Sequence, residues 1–549
     1  MNTSPTPKWP ASAAWLAIGL LTSAAQATVV APSVHTDAGW VEGASRGDAL
    51  DFWGIPFAAP PVGDLRWKAP APVAPWPGVR AALVPGPACT QDGRRVPSGV
   101  PNSSEDCLYL NVHVPPGLSD TAAAPVMVWV PGGAWINGAG AQYDGSKLAQ
   151  ASQSVVVTIN YRLGLFGSLA LNSLLAEGHG NAGLMDQQAA LRWVQRNIAR
   201  FGGNPQNVTL FGQSAGSASV CQQLVSPGAA GLFHRAIMQS GPCTFGTTAK
   251  AEALKNGQAF VTKLACPDSL GASAQLACLR SKTAAEVFAA SPTLNITTPG
   301  SLGSLTPFQD GIVLPAMPRK LIEQGKFNRV PVVIGNTKDE GTLFIALAYD
   351  IARGHAMTDD ELKSLLAGLT QGNSIATSLL SSYYTTRKYG TPGQAASALV
   401  TDAVFACGAQ WSARQLAGRV ATYAYQFDEQ RMPALVNDPF MAWGAYHAAE
   451  LPLVFQTEIA TVPPSGAPAD VLTPAQLKLS DAMMGYWGRF AATGNPNGAG
   501  AVAWPRFSWP THGTLHLDSA AITSASGSSV TGPHNCSLWD TLASLGVGL

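Results

Sequence analysis

Val208-Thr-Leu-Phe-Gly-Gln-Ser-Ala-Gly216 is the stretch that decides the fold. An apolar, partly β-branched run from Val208 to Phe211 meets Gly-x-Ser-x-Gly at Gly212 to Gly216. An alanine- and serine-rich segment of helical character follows through Leu224. The order is strand, sharp turn, helix. A serine in such a turn takes strained backbone angles, and small residues two positions to either side are required where strand and helix pass close together. The Ser214 hydroxyl would then stand above the carboxyl edge of a sheet, within reach of a substrate carbonyl. Five-residue patterns of small residues arise by chance in a chain with 56 glycines. The strand before this one and the helix after it give it weight.

Working outward, Asp186 to Arg200 places Leu191, Val194 and Ile198 on one helical face and feeds Gly202-Gly203 and the Ser214 strand. Arg235 to Ser240 repeats the strand. Upstream, Leu108 to Val112, Val126 to Val130 and Val155 to Ile159 are apolar runs without polar alternation, as buried parallel or mixed strands are. Trp40 to Val62 suits an antiparallel start. Downstream, Val330 to Ile334 and Val420 to Phe427 are strands, while about 249–300 and 345–400 are mostly helical. This alternation predicts an α/β fold: a large, mostly parallel central sheet covered by helices on both faces, with helical insertions. No composition break divides residues 28–549, so one domain is expected there.

Charged residues make up 12% of the 549, against about 25% in average chains, and the formal net charge is zero. A nucleic-acid partner would need a basic face or stripe, which is missing. Lys8, the apolar stretch Ala11 to Leu21 and the ending Ala25-Gln-Ala27 resemble a secretory signal peptide over residues 1–27. That stretch is shorter than the ~18 apolar residues of a membrane span, so the expectation is an exported protein, secreted or periplasmic, with no membrane span. Eight cysteines, an even number, fit an oxidising compartment. Local spacing points to Cys89 with Cys107 and Cys266 with Cys278. Nothing in the sequence defines an oligomeric state.

Serine is a weak nucleophile near neutral pH. It needs a base in hydrogen-bond contact and a third group to orient that base. In this strand-turn-helix arrangement the partners follow in the order serine, acid, histidine. Five histidines lie beyond Ile334: His355, His447, His512, His516 and His534. Asp339 and Glu340 both sit just past that strand, and the pattern does not separate them. The strand Val126 to Val130 runs into Pro131-Gly-Gly-Ala-Trp-Ile-Asn-Gly138, whose glycines let backbone N–H groups approach a developing oxyanion. No His-Glu-x-x-His or Cys-x-x-Cys occurs. His512 and His516 are four apart, but Pro510 and Gly513 argue against a shared helix face. Neither a metal nor a cofactor is expected.

The chain resembles the type B carboxylesterases, the cholinesterase-like branch of the α/β-hydrolases, over nearly its whole length. The stretches that carry the likeness include Glu105-Asp-Cys-Leu-Tyr-Leu-Asn111, Asn160-Tyr-Arg-Leu-Gly164, Asn181-Ala-Gly-Leu-Met-Asp-Gln187, Phe201-Gly-Gly203, Gln239-Ser-Gly241, Asp339-Glu-Gly341 and Gly444-Ala-Tyr-His447. The resemblance implies Ser214 as nucleophile, His447 as general base and acid, and Glu340 as orienting carboxylate. It implies an oxyanion hole from the N–H groups of Gly133, Ala134 and Ala215. It implies structural ion pairs Arg66–Glu105 and Arg162–Asp186 and a long-range disulfide Cys407–Cys536, leaving Cys221 and Cys243 as an open fourth pair. The implied activity is hydrolysis of small neutral carboxylic esters through an acyl-enzyme. Amide, carbamate or polyester substrates are the alternative, and a non-catalytic binding module is the reading of another class.

The chain also departs from that pattern. Pro131 stands where a histidine is common and Ala134 where a third glycine is common. Gln213 replaces the glutamate that many cholinesterases carry before the nucleophile, and no tryptophan lies between Cys89 and Cys107. A quaternary ammonium would therefore lack both a neighbouring charge and an aromatic face.

Overall fold

The computed structural model describes residues 1–2, 32–46, 49–92, 103–291, 305–370, 372–433, 435, 438–456, 472–526 and 534–544. The cleavage point expected at Ala27 lies outside them. The chain divides at residues 31 and 32, and the architecture below belongs to the second part.

A run of β-branched and aromatic residues with both faces apolar has to be covered on both sides. The central strands of an eleven-stranded sheet meet this condition; the sheet comprises β3 (Ala44–Ser45), β4 (Leu50–Pro56), β6 (Tyr109–Val114), β7 (Ala124–Val130), β8 (Val155–Ile159), β9 (Gly203–Gln213), β10 (Arg235–Gln239), β11 (Val332–Thr337), β12 (Thr422–Phe427), β13 (Thr514–Leu517) and β14 (Thr523–Ala525). Their spatial order is β14-β13-β12-β11-β10-β9-β7-β8-β6-β4-β3. From β8 across to β13 neighbouring strands run parallel, and both flanks are antiparallel. A separate small sheet joins β1 (Ser33–His35), β2 (Trp40–Glu42) and β5 (Val79–Ala81).

Side chains alternate between the faces, as the two-residue period of a strand demands. Val126, Val128 and Val130 of β7 join Val208, Leu210, Ala236, Met238, Val332 and Ile334 in one core layer. Met127, Trp129, Phe211, Ile237, Val333, Tyr423 and Tyr425 pack in the other. The first layer is covered by helices Ala182–Asn197, Ala215–Val225 and Cys407–Ala417. The second is covered by Ser146–Ser152 and Pro474–Thr493. A satellite core including Phe166, Phe260, Leu276, Leu279 and Val287 holds the helical insertion together, with Cys266–Cys278 inside it. Cys89–Cys107, Cys221–Cys243 and Cys407–Cys536 are also joined, so the open fourth pair closes.

Two boundaries beside the site differ from the sequence reading, and some elements were missed. The helix expected from Asp186 begins at Ala182, because Asn181 is anchored from outside: its side chain donates to the Phe308 carbonyl and to Asp310. The strand expected at Val330 begins at Val332, since Pro331 has no N–H to give a ladder. Strands β13 and β14 and the helix Pro474–Thr493 were not read at all.

The chain leaves β7 for β8 on one side and later returns to place β9 on the other. This is the switch point of the sheet, where the carboxyl ends of adjacent strands open a crevice for ligand. The glycine loop after β7 and the serine turn after β9 therefore emerge side by side.

Candidate active site

Ser214 has φ +57° and ψ −126° and occupies the N-cap position of the helix Ala215–Val225 without a side-chain capping bond. Its N–H donates to the Gln239 carbonyl at 2.8 Å, and its own carbonyl accepts from Ala218 N–H at 2.9 Å, so the strained turn is held at both ends. A Cβ on Gly216 would lie 2.0 Å from the Val130 carbonyl oxygen, and one on Gly212 would lie 2.7 Å from the Gly216 backbone. These two glycines are the close approach that the motif implied.

The loop after β7 packs onto this turn. Gly133, Ala134 and Trp135 have φ of +107°, +54° and +58°, three consecutive residues outside the usual basins. Ile136 and Asn137 N–H donate to the Gly133 carbonyl, and Trp135 Nε1–H donates to Ser219 Oγ at 2.9 Å, fastening the loop to the helix below Ser214. Among the described residues, the N–H groups of Gly133, Ala134 and Ala215 have no protein acceptor. The methyl group of Ala134 is accommodated in the left-handed region, which costs strain but keeps the donor.

Asp339 and Glu340, equivalent in the sequence, part company here. Asp339 Oδ2 accepts from Ala445 N–H at 2.9 Å, and Asp339 N–H donates back to the Ala445 carbonyl at 2.9 Å, so this residue holds the loop that carries the histidine. Burial is the largest influence on the Asp339 carboxyl and raises its pKa. Glu340 is fully buried; its Oε1 accepts from Thr337 N–H at 2.8 Å, and its Oε2 accepts from His447 Nδ1–H at 2.5 Å. With Nδ1 carrying the proton, Nε2 presents a lone pair. In this structure that lone pair faces the Gln213 amide nitrogen at 3.2 Å, and the structure records no hydrogen bond from Ser214 to His447. Phe344 and Phe405 each place a ring 4.8 Å from the imidazole and stack on one another, and Phe245 and Trp135 continue this aromatic wall toward the oxyanion loop.

The other candidate histidines are engaged elsewhere. His516 Nδ1 meets Asp428 at 2.6 Å in β13, His534 lies between Asp402 and Gln426, His512 packs edge-on against Trp509 and Phe507, and His355 is exposed. Arg162 and Asp186 form a buried bidentate pair at 2.7 and 2.8 Å. Arg66 holds Glu105 and the Lys282 carbonyl. Both pairs join separate stretches of chain. Among the described residues, no group of three or more His, Cys, Asp or Glu side chains converges as a metal site, and no helix is long and apolar enough to cross a membrane.

A parallel sheet with a serine on a strained strand-to-helix turn at its switch point, and a glycine loop packed beside that turn, defines an α/β-hydrolase. Residues 30–534 match the sequence profile of the Carboxylesterase family. The para-nitrobenzyl esterase of Bacillus subtilis (strain 168) is 37% identical over 495 residues, which cover 88% of this chain and 94% of the relative. The human cocaine esterase is 36% identical, covering 85% and 83%. A solved PNB esterase structure superposes with a TM-score of 0.74 at 36% identity, covering 90% of this chain and 97% of its own. The chain belongs to the carboxylesterase family and is a carboxylic ester hydrolase of the serine class. This sets aside the reading as a non-catalytic binding module.

Proposed function

We propose that the protein is an exported serine carboxylesterase that hydrolyses neutral esters through Ser214, His447 and Glu340. The observation that carries this reading is the Glu340–His447 contact, which leaves an unprotonated imidazole nitrogen on the side of the serine turn. Substrate entry displaces the Gln213 amide from Nε2. His447 then takes the Ser214 proton as Oγ attacks the ester carbonyl, and the N–H groups of Gly133, Ala134 and Ala215 receive the oxyanion. The imidazolium returns its proton to the leaving alcohol. Water repeats the sequence on the acyl-enzyme, and such general-base work contributes about 10²–10⁴-fold. Four disulfides support an oxidising, extracytoplasmic destination, secreted or periplasmic.

Rapid mixing with p-nitrophenyl acetate tests the covalent step. A burst of p-nitrophenol stoichiometric with enzyme is expected, with the acetyl group found by mass spectrometry of the acid-quenched protein on the peptide that carries Ser214. An acyl group on any other peptide would overturn the assignment.

The walls of the site predict selectivity. Gln213 is neutral and buried beside the imidazole, so a cationic alcohol group finds no counter-charge from this residue. kcat/KM on a choline ester is expected to be at least about tenfold below that on the isosteric neutral 3,3-dimethylbutyl ester, the order of one unit pair in a partly screened site. Gln213→Glu is expected to narrow the gap. Equal rates on both esters would refute this.

A further inference from the structure

A cavity of about 370 Å³ lies beside the loop that carries His447. It runs inward from Gln430 and Ala442, which are exposed, to Ser397, Thr401, Asp402 and His534, which are buried. The volume suits a small molecule, but the lining reverses the apolar composition usual in such pockets. Among the described lining residues, no purely apolar side chain is larger than the methyl groups of Ala398 and Ala442. An acyl chain would gain little by burial here, so the cavity is not an extension of the ester site.

Charge on the walls is matched in pairs. His534 Nδ1 meets Asp402 at 2.7 Å, and the other Asp402 oxygen accepts from Tyr384 Oη–H and Asn535 Nδ2–H. Lys338 precedes Asp339 in the chain, and its charge acts on that carboxyl. Neither an anion nor a cation therefore finds a net counter-charge. What the walls offer is hydrogen-bonding capacity of both kinds. Among the described residues, the Lys338 ammonium, the side-chain amides of Gln394 and Gln430, and Asp339 Oδ1 make no hydrogen bond. A hydroxyl both donates and accepts, so a neutral molecule with several hydroxyls matches this set.

The same walls carry the joints that set the triad loops. Asp339 holds Ala445 in both directions, Thr342 Oγ1 lies 2.8 Å from the Trp443 carbonyl, and Thr401 Oγ1 accepts from Gly341 N–H at 2.9 Å, directly after Glu340. An occupant would press on the bonds that register the Glu340 turn against the His447 loop. We propose that this cavity is an effector site for a small neutral polyol, whose binding alters turnover through the Asp339–Ala445 joint. The effect on turnover rests on the triad reading above; the binding does not.

The test is calorimetric titration of the full chain with myo-inositol and with D-glucose in the millimolar range, with kcat on p-nitrophenyl acetate measured at each concentration. Saturable heat is expected for at least one of them, with a change in kcat that has the same midpoint. Solvent exclusion by polyols also stabilises proteins, but it does not saturate. Gln394→Leu is expected to weaken binding by about tenfold, the upper end for one hydrogen bond, with the basal kcat of the parent. Ala398→Phe fills the cavity and is expected to abolish both heat and kcat response. A polyol acting only as acyl acceptor at Ser214 would change kcat equally in Ala398→Phe, which overturns the site. No saturable heat with either polyol also overturns it, and so does native affinity in both variants. Binding of glycine or inorganic phosphate in place of the polyols overturns the ligand class, and saturable heat at constant kcat overturns the effector role. Failure of the triad reading would show separately, as Ser214-independent activity, while the calorimetry still reports on the cavity.

Discussion

With Ser214 as the proposed nucleophile, Ser214→Ala is expected to lower kcat on p-nitrophenyl esters by about 10⁴- to 10⁶-fold, the range seen when one triad member is removed. The size follows from what remains. Without the hydroxyl, His447 and Glu340 can still hold a water and the loop N–H groups can still polarise a carbonyl, but no acyl-enzyme forms. The loss reports chemistry, because the fold does not use the hydroxyl: the structure records no hydrogen bond to Ser214 Oγ, and the turn is held by the backbone through Gln239 and Ala218. Alanine also tolerates the required φ near +57°, as Ala134 does at +54° in the neighbouring loop. Parent and variant are compared across acyl chains from acetyl to lauryl, with thermal unfolding as control. The parent's profile then measures the size of the acyl pocket, while the variant should be flat near background. Retention of a tenth or more of the parent rate in a folded variant would end the serine assignment.

The strands beside the site were legible because each is a short apolar run that buries both faces, and the serine turn because its glycines answer a steric demand visible in the spacing. Val130 and Gly216 meet backbone to backbone, and no side chain fits between them. The acid was not legible from pattern. Asp339 and Glu340 are adjacent, both follow β11, and both act on the segment ending at His447, one on its backbone and one on its imidazole. Only the direction of the side chains separates them. The histidine posed a similar problem. Imidazole–carboxylate pairing recurs at His113 with Asp51, His516 with Asp428 and His534 with Asp402, so pairing does not mark a catalytic group. What sets His447 apart is that it faces the serine turn, and that is a property of the assembled sheet. Strands β13 and β14 were missed because three or four residues between Gly513 and a serine-rich tail carry too little periodicity to register.

Glu340→Gln is expected to lower kcat by about 10⁴-fold with little change in KM, as removal of the orienting charge does in triads of this design. The replacement is isosteric, so the cavity stays filled, and the backbone decides how the amide sits. Thr337 N–H needs an acceptor and finds it in Oε1 at 2.8 Å. A glutamine keeps its carbonyl oxygen there, which turns its NH₂ group toward His447 Nδ1. Two donors cannot share that contact, so the imidazole surrenders the Nδ1 proton and carries it on Nε2 instead. In the proposed mechanism Nε2 receives the Ser214 proton, and it is now occupied. The Gln213 amide adapts by turning its oxygen to the new N–H, which deepens the inactive arrangement. The enzyme therefore stays folded, binds ester and cannot activate its nucleophile. Steady-state kinetics on p-nitrophenyl acetate, with imidazole ¹⁵N shifts to read the tautomer, check both halves. A variant with kcat within tenfold of the parent would show that His447 takes its orientation from something other than Glu340.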